Sequence, residues 1–414
     1  MRVFKFGGAS VKDAVGVKNV VKVLQHEGTT NTLVVISAMG KMTNAFENVV
    51  DAYFYKKNNL KEVLSIVEDF HYQILHGLFE KEHNIYQKVA HLLGELSGFM
   101  LRNKSEDYNY VYDQMVGFGE LLSTTIVSEY LKEVGVDNQW LDVREYIKTD
   151  VNYRDAKINW ELTKQLIKEN VVSAQLNITQ GFLGGVGVET TTLGREGSDY
   201  TAGVFAYCLD AESVTIWKDV TGVLNADPRV FTKTELLHEI SYTEAIEMAF
   251  YGASVIHPKT IQPLEQKNIP LFVRSFDDLS NKGTCVGRGK KITPEVPCFI
   301  VKKDQILVSI SAKDFSFMVE SNISDVFEKL DEYKLKVNLI QNSAISFSVC
   351  IDDKYKNFDA FYDDLKNRFT IKSYKAVTLY TIRHFNEDAI NEIRKKGKSI
   401  ISQINTETAQ LVIQ

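Results

Sequence analysis

The chain has 414 residues, 44% of them hydrophobic and 25% charged, with a formal net charge of −6. That length can bury more than one core, so two or three domains are expected, and no apolar run approaches the roughly 18 residues that span a bilayer. Basic residues are interspersed with acidic ones, which argues against a nucleic-acid partner, and Cys208, Cys285, Cys298 and Cys350 form no C-x-x-C pair, which argues against a zinc site or a disulfide framework.

Met1-Arg2 leads directly into a strand, Arg2 to Phe6, without the n-region and h-region of a secretory signal, so a cytoplasmic location is expected. The strand runs into Gly7-Gly8 and then a helix, so backbone N–H groups can approach an anion while Lys5 supplies positive charge. Runs rich in β-branched residues follow at Thr32–Ser37, Gln175–Ile178, Ser213–Trp217 and Leu271–Val273, separated by helical patterns. This reads as an α/β domain, residues 1–278, with a mainly parallel sheet and helices on both faces. Asn44 to Arg102 has few glycines and reads as two or three packed helices forming a wall or lid.

Near residue 194 the phosphate-cradle pattern returns, in Gly194-Arg195-Glu196-Gly197-Ser198-Asp199. Gly194 and Gly197 loosen the backbone before Ser198 or Asp199 caps an apolar helix. Two anion-attracting turns around one site suggest a phosphorylated substrate and a second anionic one. Asp278–Pro297 is rich in glycine, proline and lysine and is expected to be a linker, residues 279–297. Beyond it the pattern reads β-α-β-β-α over 298–374, with a helix at Ile323–Tyr333, and then a shorter second copy over 375–414, a weak internal repeat of a small α+β unit.

No Walker A loop occurs, and Gly185-Val186-Gly187 and Gly287-Arg288-Gly289 lack the third glycine of a dinucleotide fingerprint. The glycine turns gain weight from the motifs around them: Val34 to Asn44, Gly117-Phe118-Gly119-Glu120, Thr179-Gln180-Gly181-Phe182, Trp217-Lys218-Asp219 through Asp227-Pro228-Arg229, and Tyr251-Gly252 through His257-Pro258. In this order they resemble the aspartate kinases of the amino-acid kinase family, and the tail resembles the paired ACT units that follow the kinase domain there. The resemblance covers nearly the whole chain.

That resemblance implies ATP-dependent phosphorylation of the β-carboxylate of L-aspartate, which opens lysine, threonine and methionine biosynthesis, with ATP and Mg²⁺ and no metal ligand expected from the protein. By the same resemblance Lys5 steadies the transferred phosphoryl group and Asp199 orients Lys5 or the substrate ammonium. Thr43, Glu120, Phe182, Arg195 and Ser198 match the aspartate site, with Arg195 on the α-carboxylate and Glu120 on the α-ammonium. Gly7, Gly8, Ser37, Lys218, Asp219, Asp227 and Arg229 match the ATP site. An aspartate side chain has a pKa near ~3.9 and is already ionised at neutral pH, so charge and positioning matter more than a general base.

The pattern is broken at Glu196, where glycine is common and whose side chain is expected to point outward, and at Lys218, Leu224 and Ser254, where Lys218 is expected to compensate for a lysine absent at 254. In the tail, Ser321 and Asn338 replace residues of lysine- or threonine-responsive relatives, leaving Asn338, Gln341 and Asn342 as polar contacts. A homodimer through the ACT units is expected, with inhibition by lysine or threonine weak or absent. The alternatives are another amino-acid kinase, for acetylglutamate, glutamate or uridylate, or a catalytically silent amino-acid sensor; a fused homoserine dehydrogenase is not expected without a dinucleotide fingerprint.

Overall fold

The structure, a computed structural model, describes residues 1–172, 174–253, 256–314 and 316–414. It divides into two compact units, residues 1–223, 236–246 and 255–292 in the first, and 224–235, 247–254 and 293–414 in the second. The expected single break near 278 is therefore corrected: two short segments of the first 278 residues belong to the second unit.

In the first unit the strands are β1 (Arg2–Phe6), β2 (Thr32–Ile36), β3 (Asn138–Leu141), β4 (Leu176–Gln180), β5 (Leu183–Val186), β6 (Glu189–Thr192), β7 (Ser213–Lys218), β8 (Glu239–Ser241), β9 (Leu271–Ser275) and β10 (Thr284–Gly287). The helices are α1 (Ala14–Glu27), α2 (Met42–Phe54), α3 (Leu60–Leu78), α4 (Ile85–Arg102), α5 (Tyr108–Val116), α6 (Phe118–Glu133), α7 (Val143–Tyr146), α8 (Trp160–Asn170), α9 (Gly197–Cys208), α10 (Tyr242–Tyr251), whose residues from 247 on belong to the second unit, and α11 (Pro258–Lys267). Eight strands form one sheet in the order β3-β4-β2-β1-β7-β9-β10-β8. Every pairing is parallel except β9 with β10.

Strand β2, Thr-Leu-Val-Val-Ile, is buried at all five positions, as a parallel strand covered on both faces must be. Phe6 at the end of β1 pairs in register with Ile36 and with Trp217, and Ile36 pairs with Gln180. The carboxyl ends of four neighbouring strands are thus level, and Gly7, Ser37, Gly181 and Lys218 all lie at one edge. The chain runs from β1 to β2 on one side, while β7 returns on the other. Open α/β sheets bind ligands at such a switch point. Trp217 anchors this edge: its ring stacks on Phe6 (6.1 Å, 7°), meets Phe4 edge-on (5.9 Å) and carries the Arg274 guanidinium at 4.6 Å. The wall expected between Asn44 and Arg102 is built of α2, α3 and α4, which bury Phe46, Val49, Val50, Leu75 and Ile85 in the core.

The 279–297 segment does not behave wholly as a linker, because Thr284–Gly287 forms β10 and extends the sheet. Gly283 makes this possible. It stands at φ +67°, and a Cβ there would come within 2.0 Å of the Val273 carbonyl oxygen, so only glycine lets the chain fold back onto β9. The short, punctuated segment hides a strand because its alternation lasts only four residues.

In the second unit the strands are β11 (Cys298–Ala312), β12 (Lys336–Asn342), β13 (Ser346–Asp352), β14 (Phe369–Arg383), β15 (Ser399–Ile404) and β16 (Thr408–Ile413), with helices α12 (Glu320–Glu332), α13 (Phe358–Leu365) and α14 (Glu387–Arg394). They make one antiparallel sheet ordered β12-β13-β11-β14-β16-β15. Strands β11 and β14 pair from Cys298 with Arg383 to Ala312 with Phe369, with register shifts between Lys302 and Leu307. The two units expected at 298–374 and 375–414 correspond here to one sheet with β11 and β14 running through its middle, and a boundary at 374/375 falls inside β14. One core gathers Val308, Leu330, Phe347 and Phe361; another gathers Ile382, Ile390 and Leu411.

Replacing Gly283 by Ala combines an unfavourable φ with a backbone clash and is expected to cost about 1–3 kcal/mol of stability. Thermal unfolding of the variant should show a lower midpoint, and an unchanged one would contradict the turn geometry.

Candidate active site

A cavity of about 510 Å³ opens at the carboxyl edge of the sheet, lined by Lys5, Ser37, Thr43, Glu120, Phe182, Arg195, Ser198, Asp199 and Lys218 among others. Nine residues singled out from the sequence, drawn from segments spread over more than two hundred positions, therefore come together. Lys5 projects from the central strand, and its ammonium lies 2.5 Å from Asp199 Oδ1, with the two side chains 10% and 5% exposed. Burial works against the charge on Asp199, but Lys5 first and then Lys218 and His257 outweigh it, holding the carboxyl below its usual range. The Asp199 carboxylate is thus held in its charged form in a largely dry site, where its field is strong.

Asp199 was expected as a possible helix cap. Instead α9 begins at Gly197 with Glu196 in the cap position, making no side-chain cap bond, and Asp199 sits in the first turn. Its carboxylate is engaged by Lys5, so the first turn gains a negative charge near the positive end of the helix while the side chain serves the pocket. Glu196 stands at φ +53°, the left-handed region where glycine is at ease. The expectation that its side chain points outward is corrected: Glu196 lines the pocket, and its Oε2 is buried without a hydrogen-bond partner.

Glu120 is carried on the first turn of α6 and is 2% exposed. One oxygen accepts from the Ala38 N–H at 3.2 Å, and the other is buried with no partner. Burial drives its pKa up to about 8, against smaller opposing effects from the Ala38 and Glu120 N–H groups and from Lys5. A carboxyl left in this state is built to meet a cation arriving from outside. Arg195, by contrast, is exposed at the rim and makes no ion pair among the described residues. Phe182 sits at φ +72°, its N–H donating to Thr201 Oγ1 at 3.0 Å and its carbonyl accepting from Leu193.

Gly7 and Gly8 do not line the cavity but form the turn beside it. A Cβ on Gly8 would lie 2.5 Å from the Gly40 carbonyl oxygen and 2.8 Å from that of Ala38. The turn is pressed against the 38–40 segment, joined by a Gly40 N–H to Gly8 C=O bond of 3.0 Å, and a short 3₁₀ turn starts at Gly8. Glycine at position 8 is thus required for this turn to pack against the 38–40 segment.

The other residues expected at a nucleotide site do not line this cavity. Asp219 is exposed just beyond β7 and does not line the cavity. Asp227 and Arg229 belong to the second unit, where the Arg229 guanidinium donates to both Asp227 oxygens (3.0 and 2.7 Å) and the Asp227 carbonyl accepts from the Val230 and Phe231 N–H groups. Turn chemistry occupies Asp227 there. Ser254 lies outside the described residues, so its relation to Lys218 is untouched.

Tyr112, Arg154 and Thr192 also line the pocket; none was named as a site residue from the sequence, though Thr192 opens the motif that holds Arg195 and Asp199. Tyr112 lies in a tyrosine-rich helix that reads as core, and Thr192 ends a hairpin too short to show. Asp113 ties them together: it accepts from the Arg154 N–H (3.0 Å), the Thr192 N–H (2.8 Å) and the Thr192 hydroxyl (2.8 Å). Burial raises its pKa to about 6 in spite of these bonds.

Residues 1–275 match the model of the amino acid kinase family. The chain is 31% identical over 356 residues to lysine-sensitive aspartokinase 3 of Escherichia coli (strain K12), covering 84% of this chain and 78% of that protein. The crystal structure of E. coli aspartokinase III in complex with lysine and aspartate (T-state) has a TM-score of 0.84 at 26% identity, covering 100% of this chain and 96% of that one. The structure of the same enzyme with aspartate and ADP (R-state) has a TM-score of 0.80 at 26% identity and the same coverage. Against bifunctional aspartokinase/homoserine dehydrogenases the chain spans less than half of the relative's length, 42% of one from Arabidopsis thaliana. Family model, relatives and fold agree with the ordered motifs: the chain belongs to the amino acid kinase family, among its aspartokinases.

Proposed function

We propose that this chain transfers the γ-phosphoryl group of ATP to the β-carboxylate of L-aspartate, forming 4-phospho-L-aspartate. The observation that carries the reading is one pocket holding a buried Lys5–Asp199 pair, an unpartnered Glu120 carboxyl and an exposed Arg195. An α-amino acid presents an ammonium for Glu120 and a carboxylate for Arg195, whose planar guanidinium can hold it through two parallel bonds. Thr43, Phe182 and Ser198 complete that side of the pocket, while Ser37, Lys218 and the Gly7-Gly8 turn supply the phosphate side, with Asp219, Asp227 and Arg229 assigned to the nucleotide by resemblance.

The acceptor carboxylate is ionised at neutral pH, so the barrier is set by repulsion between anions rather than by a proton transfer. Lys5 answers that repulsion. Asp199 holds it in place, so that the ammonium is positioned before charge develops on the transferred group. Among the described residues no cluster of three or more His, Cys, Asp or Glu side chains could hold a metal ion. Mg²⁺ is assigned by the resemblance as a companion of the ATP phosphates, the usual arrangement for this ion.

The second unit is assigned to regulation and to homodimer formation through its sheet. Asn338 was expected to be free for an effector, but its side chain is committed: Oδ1 accepts from Lys302 at 2.7 Å and Nδ2 donates to Gln305 at 2.7 Å. This supports a weakened lysine or threonine response. No described helix is long and apolar enough to cross a membrane.

Aspartyl hydroxamate formation by the purified protein, with glutamate, acetylglutamate and uridylate as control acceptors, tests the reaction; preference for a control would overturn it. Lys5→Met should lower kcat by about 10²–10³-fold, the scale on which a preorganised charge-stabilising donor acts. A loss below fivefold in a variant with native circular dichroism would remove Lys5 from the reaction.

Glu120 offers a pH signature. A carboxyl with its pKa at about 8 is mostly protonated below that pH and cannot pair with an ammonium. The kcat/KM for aspartate should therefore rise with pH and level off above about 8, since this parameter reports the free enzyme. Glu120→Gln should lower it and flatten the profile; an unaltered profile would assign the ionisation to another group.

Lysine or threonine titrated against activity should inhibit only at millimolar concentration or not at all. Strong inhibition at micromolar effector would contradict the commitment of Asn338.

A further inference from the structure

Arg154 is the pocket residue that the reading above leaves without a task. It stands at φ +71°, a conformation costly for any residue but glycine. Strain of this kind is retained where the surroundings impose it, and here they do: the Arg154 N–H is held by the Asp113 carboxylate, which also grips Thr192 of the same pocket wall.

The side chain is held as firmly. Its guanidinium lies 4.3 Å from the centre of the Tyr112 ring and 5.6 Å from that of Tyr108. Those phenols donate to Glu47 at 2.8 Å and to Asp51 at 2.7 Å. Hydrogen bonding to a carboxylate enriches each ring in electrons and strengthens its hold on a cation. Four carboxylates around it have other partners: Glu47 and Asp51 hold the phenols, Asp113 holds backbone N–H groups and a hydroxyl, and Asp155 holds Lys259 at 2.5 Å, while Glu196 of the same pocket forms no ion pair with it. Among the described residues Arg154 has no ion-pair partner. The guanidinium thus rests against two aromatic rings and makes no hydrogen bond or ion pair of its own among the described residues.

Its neighbours define what it faces. A Cβ on Gly194 would lie 3.2 Å from the Arg154 carbonyl oxygen, so Arg154 adjoins the residue preceding Arg195. Tyr112 and Gly194 lie beside it, and Thr192 shares the Asp113 carboxylate with it. Resting on the kinase reading, we propose that Arg154 is a second binding group for the substrate α-carboxylate, acting with Arg195 and restricting the site to amino acids whose α-carboxylate is free. Sequence alone offered little signal for it, because Tyr153-Arg154-Asp155 lies in a polar loop outside every motif.

Arg154→Gly is the informative variant, because glycine suits the positive φ and the backbone bond to Asp113 is kept. Steady-state kinetics with L-aspartate should show KM raised about 10–100-fold, the range for a lost charge-assisted contact. The KM for ATP should stay within twofold and kcat within a few-fold. On the α-amide of aspartate, which lacks the charged group, parent and variant should have the same KM. Arg154→Lys should recover part of the aspartate affinity. An unchanged aspartate KM, a shift in the ATP KM instead, or an equal rise on both acceptors would each overturn the proposal. Calorimetric binding of aspartate needs no turnover and separates the two readings. Binding that weakens in Arg154→Gly supports Arg154 even if the parent proves inactive, whereas binding indifferent to the substitution overturns it even if the parent is a kinase.

Discussion

A positive charge buried at the end of the central strand is the constraint on which the rest of the site depends. Lys5 lies on β1, flanked by two parallel strands, with its ammonium against Asp199 and both side chains almost closed to water. An isolated ammonium in such a place would lose its proton or unfold its surroundings, and one partner removed from a buried pair typically costs about 3–5 kcal/mol. Asp199 therefore has to be delivered accurately. The first turn of α9 delivers it, and the left-handed residue Glu196 sets the entry angle of that helix.

Around this pair the pocket is arranged by charge in a way that a small amino acid can read. Glu120 is kept dry and half satisfied, which leaves it unable to stabilise its own negative charge until an ammonium arrives. The arginines are treated in the opposite way: Arg195 is left exposed, and Arg154 is laid on an aromatic surface rather than against an acid. Acid in the interior and arginine at the rim give the pocket a direction, so a ligand with both an ammonium and a carboxylate has one favourable orientation.

Much of this was legible in the sequence. The strand, glycine pair and helix at the N-terminus are local signals, and so is the second glycine turn near residue 194; both lie where the motifs placed them. The partnership of Lys5 with Asp199 followed from family resemblance, since nothing local links positions 194 residues apart. What escaped detection has a common physical origin. Arg154 owes its position to long-range contacts with Asp113 and Tyr112, β10 to one glycine that fits against a carbonyl, and the place of β11 and β14 in one sheet to pairing between segments some seventy residues apart. Glu196 was misplaced because a carboxylate beside an anion site was assumed to avoid it, whereas the left-handed backbone turns the side chain into the pocket.

The central claim is that Lys5 and Asp199 act as one preorganised unit. A double-mutant cycle on the single-turnover rate of phosphoryl transfer to aspartate, using Lys5→Met, Asp199→Asn and the double variant, tests it directly. If the two residues form one unit, the double variant should be about as slow as the slower single one. Rate losses that multiply independently would show that Asp199 serves the reaction without Lys5, and the charge pair would lose its place at the centre of the site.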